Sequence, residues 1–97
     1  MLGEKLKELR ESNGLVQRQV AAELEVDTAY ISKMENNEKP VSRNHLKKLA
    51  QLFKVTEDDL LTLWLADKVY DVVKDEEVAI KAMQVAEETI KYEKKKK

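Results

Sequence analysis

The 97-residue chain (11.2 kDa) is 42% hydrophobic and 38% charged, which suits one small domain, or a small domain with an extension, and a core modest enough that assembly would add usefully to it. One His, two Gly, one Pro and no Cys exclude a disulfide framework, a thiolate metal site and a cysteine nucleophile, and no carboxylate spacing suggests a metal or a cofactor. The net charge of −1 averages unlike parts: residues 1–27 carry −2, residues 28–54 carry +4, residues 55–93 carry −7, and the four terminal lysines carry +4.

Every extended segment has a helical period. Leu2, Leu6 and Leu9 stand at i, i+4 and i+7, and that helix ends near Ser12-Asn13-Gly14, where Asn or Gly can turn left-handed. A second helix fits Gln17 to Leu24, with Val20, Ala21 and Leu24 on one face. Asp27 is placed to cap a third that runs to Glu35, with Ile31 and Met34 inward. Asn36 to Pro40 is a loop by composition. Ser42 caps a fourth helix carrying Leu46, Leu49, Ala50 and Phe53. Thr56 with Asp59 forms a capping-box pattern that opens a fifth helix through Val73. Asp75 caps a sixth, with Val78, Ala82, Met83, Ala86 and Ile90 in phase. No β-branched run alternates long enough to argue a strand, so the expected class is all-α.

A change in kind, with no Gly/Ser-rich linker, falls at Val55-Thr56. The expected division is a residue 1–55 domain of short helices and a residue 56–97 extension of two longer, acidic helices. The Lys94–Lys97 run is expected to be a solvated helix end whose charge favours the C-terminal dipole. No apolar run reaches the ~18 residues a membrane span needs. The N-terminal stretch has no apolar core of a secretory signal, which leaves the cytoplasm as the expected location.

Residues 15–55 read LVQRQVAAELEVDTAYISKMENNEKPVSRNHLKKLAQLFKV. Leu15, Gln17, Val20 and Ala21 fit a pattern Leu-x-Gln-x-x-(Leu/Val)-Ala. After a short turn Ile31, Ser32 and Glu35 fit Ile-Ser-x-x-Glu, and Pro40, Leu46, Leu49 and Ala50 complete it. This stretch resembles the helix-turn-helix of the phage-repressor-like (Xre) family of bacterial regulators. The resemblance implies a five-helix DNA-binding domain, here with a long fifth helix and a sixth beyond it. Two positions depart from the family pattern. Glu25 and Asn37 stand where Gly is common, and a left-handed turn at Glu25 would cost on the order of 1 kcal/mol.

Packing supports the resemblance. One helix of such a pair crosses the DNA backbone while the next enters the major groove. Ala21 lets the two helices approach, Val26 fits the apolar turn position, and Val20, Leu24, Ile31 and Met34 can share a core. Thr28, Ala29, Tyr30, Ser32 and Lys33 are then left for base edges and phosphates, although Tyr30 fits a half-buried core position as well. By resemblance Gln17 reaches a phosphate, with Arg18 on its flank. Asn36, Lys39, Arg43 and Asn44 lie in or just after the loop, where family members contact phosphates. His45 reads as a surface residue. The resemblance also implies a structural ion pair between Arg10 and Glu35.

The C-terminal half carries more apolar residues than a monomer of this size can bury. Leu61, Trp64, Leu65, Val72, Val78, Met83, Ala86 and Ile90 are the candidates for a two-fold dimer interface, which with this motif implies an inverted-repeat operator in double-stranded DNA. Closure of all six helices into a monomer is the alternative. No small-molecule ligand is evident. Asp58-Asp59 and Glu76-Glu77 are adjacent carboxylates that do not face each other on a helix, so they argue for first-turn acids and against an enzyme. The leading expectation is a homodimeric transcriptional repressor. An antitoxin, a restriction–modification controller, or a module whose C-terminal helices bind another protein are the alternatives.

Overall fold

A computed structural model describes residues 1–95; Lys96 and Lys97, half of the terminal lysine run, lie outside the described residues. Six α-helices form, α1 (Leu2–Ser12), α2 (Gln17–Leu24), α3 (Thr28–Glu35), α4 (Leu46–Phe53), α5 (Glu57–Val73) and α6 (Ala79–Lys95), with a short 3-10 turn (Arg43–His45) leading into α4. No strand occurs among the described residues. The fold is all-α, as the periodicity requires.

Two compact units are present, Met1–Asp67 and Lys68–Lys97. The first contains α1 to α4 and the beginning of α5. Its core is Leu2, Leu6, Val20, Ala21, Leu24, Ile31, Met34, Val41, Leu46, Leu49, Ala50, Phe53 and Leu60. These are apolar positions that the helical spacing marks, with Val41 from the loop and Leu60 from α5 added; Leu9, marked too, is half-buried against the cluster. Fully burying one such side chain contributes about 1.5–3 kcal/mol, so this cluster is the main source of stability in the unit. The second unit holds the end of α5 and α6, and none of its described residues is fully buried.

The first four helices end in the same way. After α1 the Leu15 N–H donates to Arg10 O (3.0 Å) and Gly14 N–H to Glu11 O (3.0 Å). After α2, Val26 N–H donates to Ala21 O (3.0 Å) and Glu25 N–H to Ala22 O (3.2 Å). After α3, Glu38 donates to Lys33 O (2.8 Å) and Asn37 to Met34 O (3.1 Å). After α4, Val55 donates to Ala50 O (3.0 Å) and Lys54 to Gln51 O (3.4 Å). Each is the paired closure that satisfies the last free carbonyls of a helix, and each needs one left-handed residue. Those residues are Gly14 (φ 67°), Glu25 (58°), Asn37 (61°) and Lys54 (59°). Only the first is Gly, so the turn at Glu25 carries the backbone cost anticipated for it, and Lys54 carries an unanticipated one.

The helix starts differ in detail from expectation. Asp27 occupies the N-cap of α3, but its side chain makes no capping bond. Ser42 Oγ accepts from Asn44 N–H (3.3 Å) and so caps the 3-10 turn, not α4 itself. Thr56 Oγ1 accepts from Asp59 N–H (3.1 Å) at the start of α5. The sixth helix begins at Ala79, not after Asp75. Backbone bonds from Glu76 to Val73 O and from Ala79 to Glu76 O take residues 74–78 through turns first, leaving Val78 just outside the helix.

Candidate nucleic-acid interface

Packing fixes which way α3 faces. Ile31, Met34 and Glu35 are buried, so the helical period turns Thr28, Ala29 and Lys33 to solvent, with Ser32 half-buried at the edge. Ala21 on α2 is 3% exposed, small enough for the two helices to approach closely. The outward face of α3 therefore offers a methyl, a hydroxyl and an ammonium group, the functional groups that meet thymine methyls, base edges and phosphates.

One buried charge lies beneath this face. Glu35 is 6% exposed, and Arg10 holds it from α1 through Nε to Oε2 (2.7 Å) and Nη2 to Oε1 (3.2 Å). Arg10 Nη1 also donates to Leu15 O (3.0 Å), tying the α1–α2 turn to the same cluster. The bond to Glu35 raises the Arg10 guanidinium above its ordinary value. Gln17 Nε2 donates to Glu35 Oε1 (3.0 Å). The structure thus brings Gln17, Arg10 and Glu35 together at the start of α2 and the end of α3, and the Gln17 link is one the sequence does not announce. Gln17 is half-buried and Arg18, next to it, is exposed.

The loop after α3 carries Asn36, Lys39, Arg43 and Asn44, all exposed. Two aromatic donors hold it. Tyr30 Oη donates to Pro40 O (3.2 Å), and Trp64 Nε1 of α5 donates to Val41 O (2.6 Å). Tyr30 is half-buried against the core and meets the His45 ring edge-on, with centroids 6.3 Å apart. His45 Nδ1 is buried without a hydrogen-bond partner, so this side chain is more enclosed than a surface residue. Arg43 lies over the Trp64 ring, 5.7 Å from its centroid.

Sequence reasoning passes over a second contact, where α1 meets the end of α3. Gly3 N–H donates to Asn37 Oδ1 (3.2 Å), and Asn37 Nδ2 donates to Glu4 Oε1. A Cβ at Gly3 would stand 2.6 Å from Met34 O and 2.8 Å from Glu35 O, besides striking Asn37 Oδ1. Gly3 therefore permits a close helix approach that no other residue allows. Its signal is a Gly in the first turn of an otherwise favourable helix. The Asn37 bond, first among its causes, lowers the Glu4 carboxyl below the usual range.

Of the residues proposed for dimerisation, Leu61 and Trp64 pack on the core of the first unit and Met83 is half-buried. Leu65, Val72, Val78, Ala86 and Ile90 are exposed, Val72 by 77%. Among the described residues no cluster of His, Asp or Glu is arranged to hold a metal ion, and no helix is long and apolar enough to cross a membrane.

A short helix, a tight left-handed turn and a second helix with a polar outer face, packed on a buried ion pair, are the parts of a helix-turn-helix domain. Residues 6–60 match the helix-turn-helix family, of the phage-repressor type, and the chain belongs to it. It is similar to the propionyl-CoA carboxylase regulator of Cereibacter sphaeroides, with 43% identity over 60 residues. That stretch is 62% of this chain and 13% of the relative, so the chain spans a small part of the relative's length. No solved structure matches the chain.

Proposed function

We propose that this chain is a sequence-specific DNA-binding transcriptional regulator, a homodimeric repressor that reads an inverted-repeat operator through the major groove. The observation that carries this reading is the outward face of α3, where Thr28, Ala29 and Lys33 stand exposed on a helix whose inner face is locked into the core. Arg18, Lys39, Arg43, Asn36 and Asn44 flank it with phosphate-binding groups, and none of these is acidic. Gln17 stands at the start of α2, where a helix N-terminus favours an anion. Its Oε1 and second amide hydrogen make no bond among the described residues, which leaves them for DNA. The regulator named among its relatives supports a regulatory role. The site of action would be the bacterial cytoplasm, at the nucleoid.

Dimerisation rests on the second unit. Val69, Tyr70, Val72, Val78, Ile80, Val85 and Ile90 are all exposed large apolar side chains. A stretch with this much apolar surface and no buried residue among those described calls for a partner. A second copy is the simplest one, since it supplies the second reading head that an inverted repeat requires. The same surface favours a second reading, in which a different protein covers it, as in an antitoxin or an interaction module.

Selection of sites from random duplex DNA at two salt concentrations tests the proposal. Enrichment of an inverted repeat, with half-sites about one helical turn (roughly 34–36 Å) apart, is expected. Binding that only tracks salt, with no motif, would refute sequence-specific reading and favour the protein-partner alternative.

A further inference from the structure

We infer that Trp64 is a positioning residue for DNA binding, holding the loop after α3 and the Arg43 side chain where they meet a phosphate. The inference rests on the DNA-binding reading above. It starts from two contacts made by one side chain inside the first unit. The indole N–H of Trp64 donates to Val41 O at 2.6 Å, and the indole face lies 5.7 Å under the guanidinium carbon of Arg43.

The loop needs such a support. Residues 36–42 form no helix, and their one αL residue, Asn37, is at the beginning. Val41 is the only buried side chain there, so most of the loop has no core contact to fix it. Its carbonyls are fixed by the aromatic groups of two different helices, Tyr30 for Pro40 and Trp64 for Val41. The peptide at Val41 leads directly into Ser42, which caps the turn that carries Arg43 and Asn44. Anchoring Val41 O therefore sets the position of the turn, and the ring beneath Arg43 restricts its long side chain to one side. An Arg has five donors in a planar fork, so stacking on a ring leaves its N–H groups free to point at phosphate oxygens. A free Arg would lose rotamer entropy on binding, and one already stacked loses less.

The test measures affinity for duplex DNA against salt for the full chain and for Arg43→Ala, Trp64→Leu, Trp64→Phe and the Arg43→Ala/Trp64→Leu double variant. Melting curves establish that each variant folds. A lost phosphate contact lowers the slope of log affinity against log salt by about 0.9 and removes a factor of about 3.5 in salt sensitivity between about 50 and 200 mM. Arg43→Ala is expected to lose this amount. Trp64→Leu should lose the same amount although the arginine is intact, and the double variant should bind no more weakly than Trp64→Leu alone. Trp64→Phe keeps the ring and releases Val41 O. It is expected to bind more weakly than the parent, and it serves if Trp64→Leu does not fold. A merely structural role for Trp64 would lower the melting temperature and leave the salt slope unchanged. That result, or losses that multiply in the double variant, or parental binding by Trp64→Phe, overturns the inference. Absence of duplex binding by the parent protein would instead overturn the DNA-binding reading, and the inference with it.

Discussion

Replacing Glu35 by Ala removes the acceptor at the centre of the Arg10 and Gln17 cluster. The Arg10 side chain is only 11% exposed and that of Glu35 only 4%, so the variant leaves a largely desolvated guanidinium without its carboxylate. Arg10 would keep its bond to Leu15 O and lose two charge-assisted bonds. Breaking a buried pair from one side costs about 3–5 kcal/mol, because the remaining charge stays desolvated. For a unit of this size each kcal/mol moves the melting temperature by about 4–8 °C, so Glu35→Ala is expected to melt more than about 12 °C lower. Helicity followed by circular dichroism during thermal and urea unfolding measures the loss. A matched variant, Arg10→Met with Glu35→Leu, removes both charges and should recover most of it. A Glu35→Ala melting temperature within a degree or two of the parent would refute the reasoning, as would a double variant no more stable than the single.

Five further substitutions follow from the backbone and from the α1–α3 contact. Glu25→Gly and Lys54→Gly remove a left-handed cost of about 1–2 kcal/mol, partly offset by the larger entropy of Gly in the unfolded chain, so each should stabilise by about 0.5–1 kcal/mol in urea melts. Asn37→Gly should do the opposite, because the side chain there bonds both Gly3 and Glu4. Gly3→Ala drives a methyl against backbone carbonyls that cannot rotate away, and overpacking of about 1–3 kcal/mol exceeds the helix-propensity gain of about 1 kcal/mol. A Gly3→Ala protein as stable as the parent would contradict the close approach. The lowered Glu4 carboxyl means that its ionised form is favoured by folding. Its contribution is therefore present above about pH 4.3, the ordinary glutamate value, and is lost as the pH falls through the lowered one. Glu4→Gln should be less stable than the parent at neutral pH, and the gap should close in acid; a gap independent of pH would exclude the effect.

The helices of the first unit are legible in the sequence because apolar spacing and local punctuation agree there. Val20, Ala21 and Leu24, then Ile31 and Met34, mark one face each, and the structure buries those residues. What escapes the sequence depends on partners distant along the chain. Gln17 meets Glu35 18 positions away, Trp64 meets Val41 23 positions away, and Gly3 meets Asn37 34 positions away. Lys54 takes the left-handed turn because Val55 and Ala50 close the end of α4, and nothing in Phe-Lys-Val signals this. The start of α6 escapes the sequence for a different reason. Asp75, Glu76 and Glu77 have the composition of a first helical turn, but backbone bonds in residues 74–79 delay the helix. Tyr30 shows how one residue fits two readings. Its ring packs on the core while its hydroxyl holds the loop that carries the candidate phosphate contacts.

The central claim is that the outer face of α3 reads bases, and the most direct measurement compares motifs. Binding sites are selected from random duplex DNA with the parent protein and with Lys33→Ala. The account predicts an inverted repeat for the parent, and for Lys33→Ala the same repeat with preference relaxed at one position in each half-site, a loss of about 1–3 kcal/mol of discrimination there. An unchanged motif with uniformly weaker binding would move Lys33 to the phosphates, and no motif with either protein would contradict base reading by this face.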